Sequence, residues 1–198
     1  MLPSIAISYA RSVPEDTFAE FRGLLSAAGT PVEVEERDID GPYAGIEWLV
    51  PTAVIVFLGK AYFDGILKEA GKDHYTALKR GLKSLHSRLV GPKAPEVAVL
   101  STAGKIRPSQ VYSLTFSLLA EADDGLRFKL LIQKGASEAE YEATVTAFIA
   151  FLDAFHQRRL DATVVDELRK ARVVGKSLLL AYDRKQGRVV PIDPVAKG

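Results

Sequence analysis

Three stretches of this sequence gather the residue types that contact small polar ligands. The first is Ile7-Ser8-Tyr9-Ala10-Arg11, where a hydroxyl, a phenol and a guanidinium follow an apolar run. The second, Arg37-Asp38-Ile39-Asp40-Gly41-Pro42, sets a cation beside an anion in a turn-rich loop. The third runs from Gly59 to Gly65 and on through Lys68 to Tyr75, adding the carboxylates Glu69 and Asp73. In an open parallel sheet, ligands bind outside the carboxyl ends of the strands, and there these three loops would converge. Ser8 and Arg11 have the strongest positional claim to such a contact. Tyr9, Arg37 and Asp38 complete the expected ligand set.

Other chemistries lack their signatures. No GxGxxG or GxxxxGK[ST] follows the first apolar run, and no GxSxG is present. With no cysteine, thiolate metal sites, disulfides and a cysteine nucleophile are excluded. His74, His86 and His156 are widely spaced and read as surface or half-buried helical residues, so no metal and no cofactor is expected.

The elements that would carry these loops alternate between strand and helix. Ser4 to Ala10 reads as a buried first strand after Pro3. Pro14-Glu15-Asp16 opens a helix with Phe18, Phe21, Leu24, Leu25 and Ala28 at helical spacing, stopped by Gly29. Val32 and Val34 alternate with glutamates in a second strand, and Ile46 to Val50 suggests a short helix. Ala53 to Leu58 is the strongest strand, β-branched and continuous, as for a central position. Gly71 is expected to interrupt the following helix, with Asp73 capping a second one along Tyr75, Leu78, Leu82, Leu85 and Leu89.

Glu96 to Leu100 suggests another strand, and Pro108 a helix carrying Val111, Leu114, Leu118 and Leu119. Leu126 to Gln133 reads as a strand, and Ser137-Glu-Ala-Glu140 as a capping box for an aromatic-rich helix. A short helix over residues 162–172 and a hairpin turning at Asp183–Gly187 follow, with Pro191 unsuited to a central strand. The expected fold is therefore α/β: an open, mainly parallel, flavodoxin-like sheet flanked by helices. Residues 1–156 would form the core domain and 157–198 a helix and hairpin extension packed on it.

Composition narrows the partners. Hydrophobic residues make up 47% and charged residues 26% of the 198, a globular balance. A net charge of +1 gives no electrostatic case for nucleic acid. No apolar run approaches the ~20 residues that span a bilayer, and Met1 to Ala10 lacks the basic start of a signal peptide. A soluble, cytoplasmic protein is expected.

The order of parts resembles the Toll/interleukin receptor (TIR) domain family over about residues 4–100. Ile7-Ser8-Tyr9, Arg37-Asp38-Ile39 and Gly59-Lys60-Ala61-Tyr62 stand where such domains carry Ile-Ser-Tyr, Arg-Asp-Ile and Ser-x-x-Tyr patterns. The resemblance implies a signalling or protein-interaction domain acting by self-association or by binding a protein partner. Its alternative is a nucleotide hydrolase of NADase type, or a nucleotide-binding sensor. Catalytic members place a glutamate after the central strand near a tryptophan; here Glu69 and Asp73 are the candidate acids, while the single tryptophan, Trp48, precedes that strand. Plainer readings stand beside these: Arg37 and Asp38 bonding a turn, Glu69 a solvated helix acid, Asp73 a cap, and Tyr62, Phe63 and Tyr75 core anchors.

Overall fold

A computed structural model describes residues 4–37, 52–90 and 111–193, and of residues 65–72 the backbone alone. The first strand, β1 (Ile5–Ala10), forms where Ile5, Ile7 and Tyr9 alternate with Ala6 and Ser8. The odd-numbered set is buried and the even-numbered pair half-buried. A 3₁₀ turn over Glu15–Phe18 leads into α1 (Ala19–Ala27), which buries Phe21 and Leu25. Gly29, at φ 83°, turns the chain away from the helix. The glutamate-rich β2 (Glu33–Arg37) and the β-branched β3 (Val54–Leu58) follow.

After β3, a π turn (Tyr62–Ile66) runs into the long α2 (Leu67–Val90). Next come β4 (Tyr112–Glu121), β5 (Arg127–Gln133) and α3 (Glu138–His156). The predicted capping box opens α3: the Ser137 hydroxyl accepts from the Glu140 N–H, and the Glu140 carboxylate accepts from the Ser137 N–H. The chain ends with α4 (Ala162–Lys170), the two-residue β6 (Val173–Val174), β7 (Ser177–Asp183) and β8 (Arg188–Pro191).

The eight described strands form one sheet, in the order β2-β1-β3-β4-β5-β7-β6, with β8 also on β7. This is the expected α/β class of an open sheet flanked by helices, and its first five strands follow the 2-1-3-4-5 order of flavodoxin-like sheets. Directions are mixed. The pairs β1/β2, β3/β4 and β5/β7 are parallel, whereas β1/β3, β4/β5, β6/β7 and β7/β8 are antiparallel. Residues 157–198, expected as an extension, supply β7, which pairs along β5 within this sheet.

Register aligns three buried rows beneath the helices. They are Tyr9-Val54-Phe116, Ile7-Val56-Leu118-Leu130-Leu180 and Ile5-Leu58-Ala120-Phe128-Leu178. Helices α1, α2 and α3 close over these rows through Phe21, Leu25, Leu78, Leu82, Leu85, Phe148 and Leu152. On the opposite face Ser8, Ile55, Phe57 and Leu119 are half-buried, while Ser117, Lys129, Leu131 and Leu179 are buried.

Three sequence expectations are corrected. The stretch from Pro108 is not a helix where the structure describes it: Val111 precedes a strand, and Leu114 and Leu118 lie in β4. There Phe116, Leu118 and Ala120 alternate along the helix-covered face, and this period of two outweighs the i, i+3, i+7 spacing of the leucines. Gly71 does not interrupt α2, and Asp73 is inside that helix rather than at its cap. The leucine stripe from Leu78 to Leu89 is fully seated in the core and offsets the ~1 kcal/mol that a helical glycine costs. Trp48 and the segments 46–50 and 96–100 lie outside the described residues.

Candidate ligand site

The antiparallel β1/β3 pairing separates the residues expected to converge. The Ala10 N–H donates to the Ala53 carbonyl at 2.8 Å, and the Gly59 N–H to the Ser4 carbonyl at 2.9 Å. Hence β3 ends where β1 begins. Arg11 and Arg37 leave the sheet at one end; the loop after β3 leaves at the other.

At the first end, Ser8 is half-buried on the face opposite the helix-covered rows, between Glu35 and Ile55 in register. Tyr9 points the other way, its ring packed in the core 4.8 Å from the Phe18 ring. Burial raises its phenol pKa, with Glu15 and Glu36 adding to the effect. Arg11 is exposed and bonds Glu36 at 2.9 Å. Arg37 donates to the Thr52 carbonyl, and the Thr52 hydroxyl meets Ser117 Oγ at 2.5 Å. Asp38 lies outside the described residues, as does the Glu69 side chain. Asp73 is exposed on α2.

The second end is where the parallel pair β3/β4 finishes, the place such sheets offer to ligands. Glu121, the last residue of β4, accepts the Lys60 N–H at 2.9 Å. Asp123 receives the Lys60 ammonium at 3.9 Å and the Arg158 guanidinium at 2.9 Å. His156, the last residue of α3, stacks on Phe63 at 5.0 Å, and neither ring nitrogen has a hydrogen-bond partner. Burial holds its pKa below the usual imidazole value. Asp64, Asp123 and Glu121 oppose that shift, and Lys60 adds to it. A π turn stands directly after β3, a feature frequent at functional sites.

Beside this cluster a cavity of about 570 Å³ opens between the sheet and α4. Phe128, Phe155, Leu160 and Leu178 give it an apolar wall, while Asp123, Asp124, Arg158 and Arg169 line it with charge. Its size falls in the ~300–1,000 Å³ range of small-molecule sites. Two of its lining residues, Asp124 and Arg158, have φ of 56°, a left-handed conformation that only glycine adopts freely. Arg158 takes this conformation at the end of α3, where its N–H donates to the Phe155 carbonyl at 3.0 Å and the Arg159 N–H to the Ala154 carbonyl at 2.7 Å, a common helix ending.

The cover of the cavity is α4. Its Asp161 cap accepts the Val164 N–H at 3.0 Å, yet none of its residues is fully buried. Val164 and Leu168 pack against the core, and Glu167 holds Arg188 of β8 through two bonds of 2.7 Å.

Among the described residues no group of three or more His, Asp or Glu side chains could hold a metal ion. No helix among them is long and apolar enough to cross a membrane. Sequence reasoning missed Lys60, Glu121, Asp123, His156 and Arg158 as one site. The usable signal was Gln157-Arg158-Arg159 directly after an aromatic-rich helix, cationic residues beside apolar surface.

Compared with protein-family models, curated proteins and solved structures, the chain matches none.

Proposed function

We propose that the chain is a small-molecule-binding α/β domain whose ligand sits under α4 at the end of β3 and β4. The observation that carries this reading is the cavity. It combines an aromatic wall, Phe128 and Phe155, with cations at its rim, Arg158 and Arg169. A ligand with a flat apolar ring and an anionic group matches that division. A nucleotide is such a ligand, and Asp124 would offer acceptors to its sugar hydroxyls. This favours a nucleotide sensor over a hydrolase, since the candidate acid Asp73 is exposed on α2 and does not line the cavity.

The reading as a TIR-like, self-associating interaction domain has less physical support. β2 at one edge carries Glu33, Glu35 and Glu36, and charge along an edge discourages strand addition. β8 has four residues and ends in Pro191, which has no N–H to donate.

The test is binding of NAD, AMP and adenosine by calorimetry. Binding of at least one, with affinity reduced about tenfold by Phe155→Ala and by Arg158→Ala and unchanged by Arg11→Ala, is expected. Affinity unaffected by Phe155→Ala, or no binding of any of the three, overturns the reading. Release of nicotinamide from NAD would restore the hydrolase.

A further inference from the structure

A second cavity, of about 320 Å³, opens in the groove between α2 and α3. It shares no lining residue with the cavity under α4. Its apolar wall is Tyr75 of α2 with Tyr141 and Val145 of α3, the last two buried. Burial raises the pKa of both phenols, so this wall carries no charge at neutral pH.

The rim of the groove is cationic. Lys79, Arg80 and Lys83 line it from one stretch of α2, and from His74 to Val90 the sequence holds no acid. Glu142 is the one acid among the described lining residues, and it is already committed. Lys83 takes it at 2.7 Å while also meeting Glu138 at 2.6 Å. Lys79 and Arg80 have no ion pair among the described residues. The Lys79 ammonium lies 5.5 Å from the centre of the Tyr75 ring, against the cavity wall, and Arg80 is exposed. Like charges three and four positions apart on a helix repel, as Lys83 does with Arg80 and with Lys79. In a chain of net charge +1 this surplus is local, and nothing beside it answers it. A cleft lined by one sign of charge over low-dielectric walls focuses the field and concentrates ions of the opposite sign.

We propose that this groove binds a small organic anion, a carboxylate or phosphate group carried on an apolar ring. Lys79 and Arg80 hold the oxyanion, and Tyr75, Tyr141 and Val145 receive the ring. The volume stands near the lower end of the ~300–1,000 Å³ range of ligand sites, which suits a single ring.

The test titrates the full chain with benzoate and phenyl phosphate, and separately with acetate and inorganic phosphate, at constant ionic strength held with chloride. The NMR signals of the Val145 methyls and the Tyr75 ring report on the groove. Benzoate, phenyl phosphate or both are expected to move these signals saturably, and the tighter of the two identifies the group. Acetate and inorganic phosphate, which lack the ring, should bind about tenfold more weakly. Combining Lys79→Gln with Arg80→Gln should weaken binding of the ring-bearing anion about tenfold or more. Arg22→Gln, on α1 outside the groove, should leave it unchanged. Signals that drift without saturating, or equal affinity in the double variant and the parent, overturn the proposal. Acetate binding as tightly as benzoate marks a surface that merely exchanges counter-ions, and overturns it too.

Discussion

The two ends of the sheet each hold a histidine against an aromatic ring, and they use it differently. Near the end where β1 finishes, His86 of α2 stacks on Tyr141 at 3.7 Å and lies 6.5 Å from Phe116. The Tyr141 hydroxyl is spent on the Leu82 carbonyl at 3.0 Å, and a smaller cavity of about 320 Å³ opens past Tyr141 between Lys79, Lys83 and Glu142. At the end where β3 and β4 finish, His156 stacks on Phe63, but Lys60, Asp64, Glu121 and Asp123 all act on it. A cavity opens alongside. The first end seats its rings in the core beside the smaller cavity, and the second sets an unbonded imidazole and four charged groups beside the larger one. That contrast locates function better than the polar residues of either end taken alone.

Truncating a ring at each end gives the largest expected difference. Phe116 is enclosed by His86 and Tyr141, whereas Phe128 meets Phe151 and Phe155 edge-on and faces the cavity on its remaining side. A phenylalanine-to-alanine change in a core costs about 3–5 kcal/mol, more where the site cannot collapse. Phe116→Ala should therefore lie near the top of that range and Phe128→Ala near the bottom, measured by urea unfolding. Equal losses would mean that the second end is packed as tightly as the first.

Acid should separate the two histidines next. Burial lowers the His86 pKa to about 4, well below its unfolded value of ~6.5. The unfolded chain then takes up a proton that the folded chain resists. Stability from this group is intact above pH ~6.5 and falls as pH drops toward 4. His156 is displaced in the same direction, but three carboxylates oppose its shift. Unfolding free energies at pH 7 and pH 4.5 should show His86→Phe removing more of the acid loss than His156→Phe. The reverse order would mean that His156, not His86, is the more strongly desolvated imidazole.

How far the sequence revealed this contrast can be judged from single elements. Apolar runs with β-branched residues announced β1 and β3, and Ser137 with Glu140 announced α3, because each depends on neighbours in the chain. Strand direction was not legible. Ile5, Ile7 and Tyr9 alternate with smaller residues, and that period of two reads the same whether β3 runs with β1 or against it. The expected convergence of Ser8, Arg11 and Arg37 with the loop after β3 depended on that direction, and it failed with it. The cluster of Lys60, Glu121, Asp123, His156 and Arg158 spans almost a hundred residues of sequence, so no local spacing could announce it. The helix stripe in β4 was misread because leucines at Leu114 and Leu118 satisfy either period when Phe116 is set aside.

At the first end a smaller effect is expected from Thr52→Val. The change preserves shape but leaves Ser117 Oγ, which is fully buried, without the partner it has at 2.5 Å. An unsatisfied buried hydroxyl costs about 1–3 kcal/mol. Chemical denaturation should show a loss in that range with no change in ligand affinity at the cavity. A loss of ligand affinity would couple the two ends.

The smallest effect should have the opposite sign. Arg158 holds a left-handed φ of 56°, and its side chain, 75% exposed, reaches Asp123 in an ion pair of the kind that contributes little to stability. Arg158→Gly removes a Cβ from that conformation, and non-glycine residues there cost about 1 kcal/mol. The variant should be more stable by up to about 1 kcal/mol, by urea unfolding, while binding the cavity ligand less well. Arg158 ends α3 where glycine is the favoured residue, so stability and affinity should move in opposite directions if its guanidinium contacts the ligand. If Arg158→Gly loses stability and keeps affinity, the guanidinium is serving the fold, and the second end resembles the first.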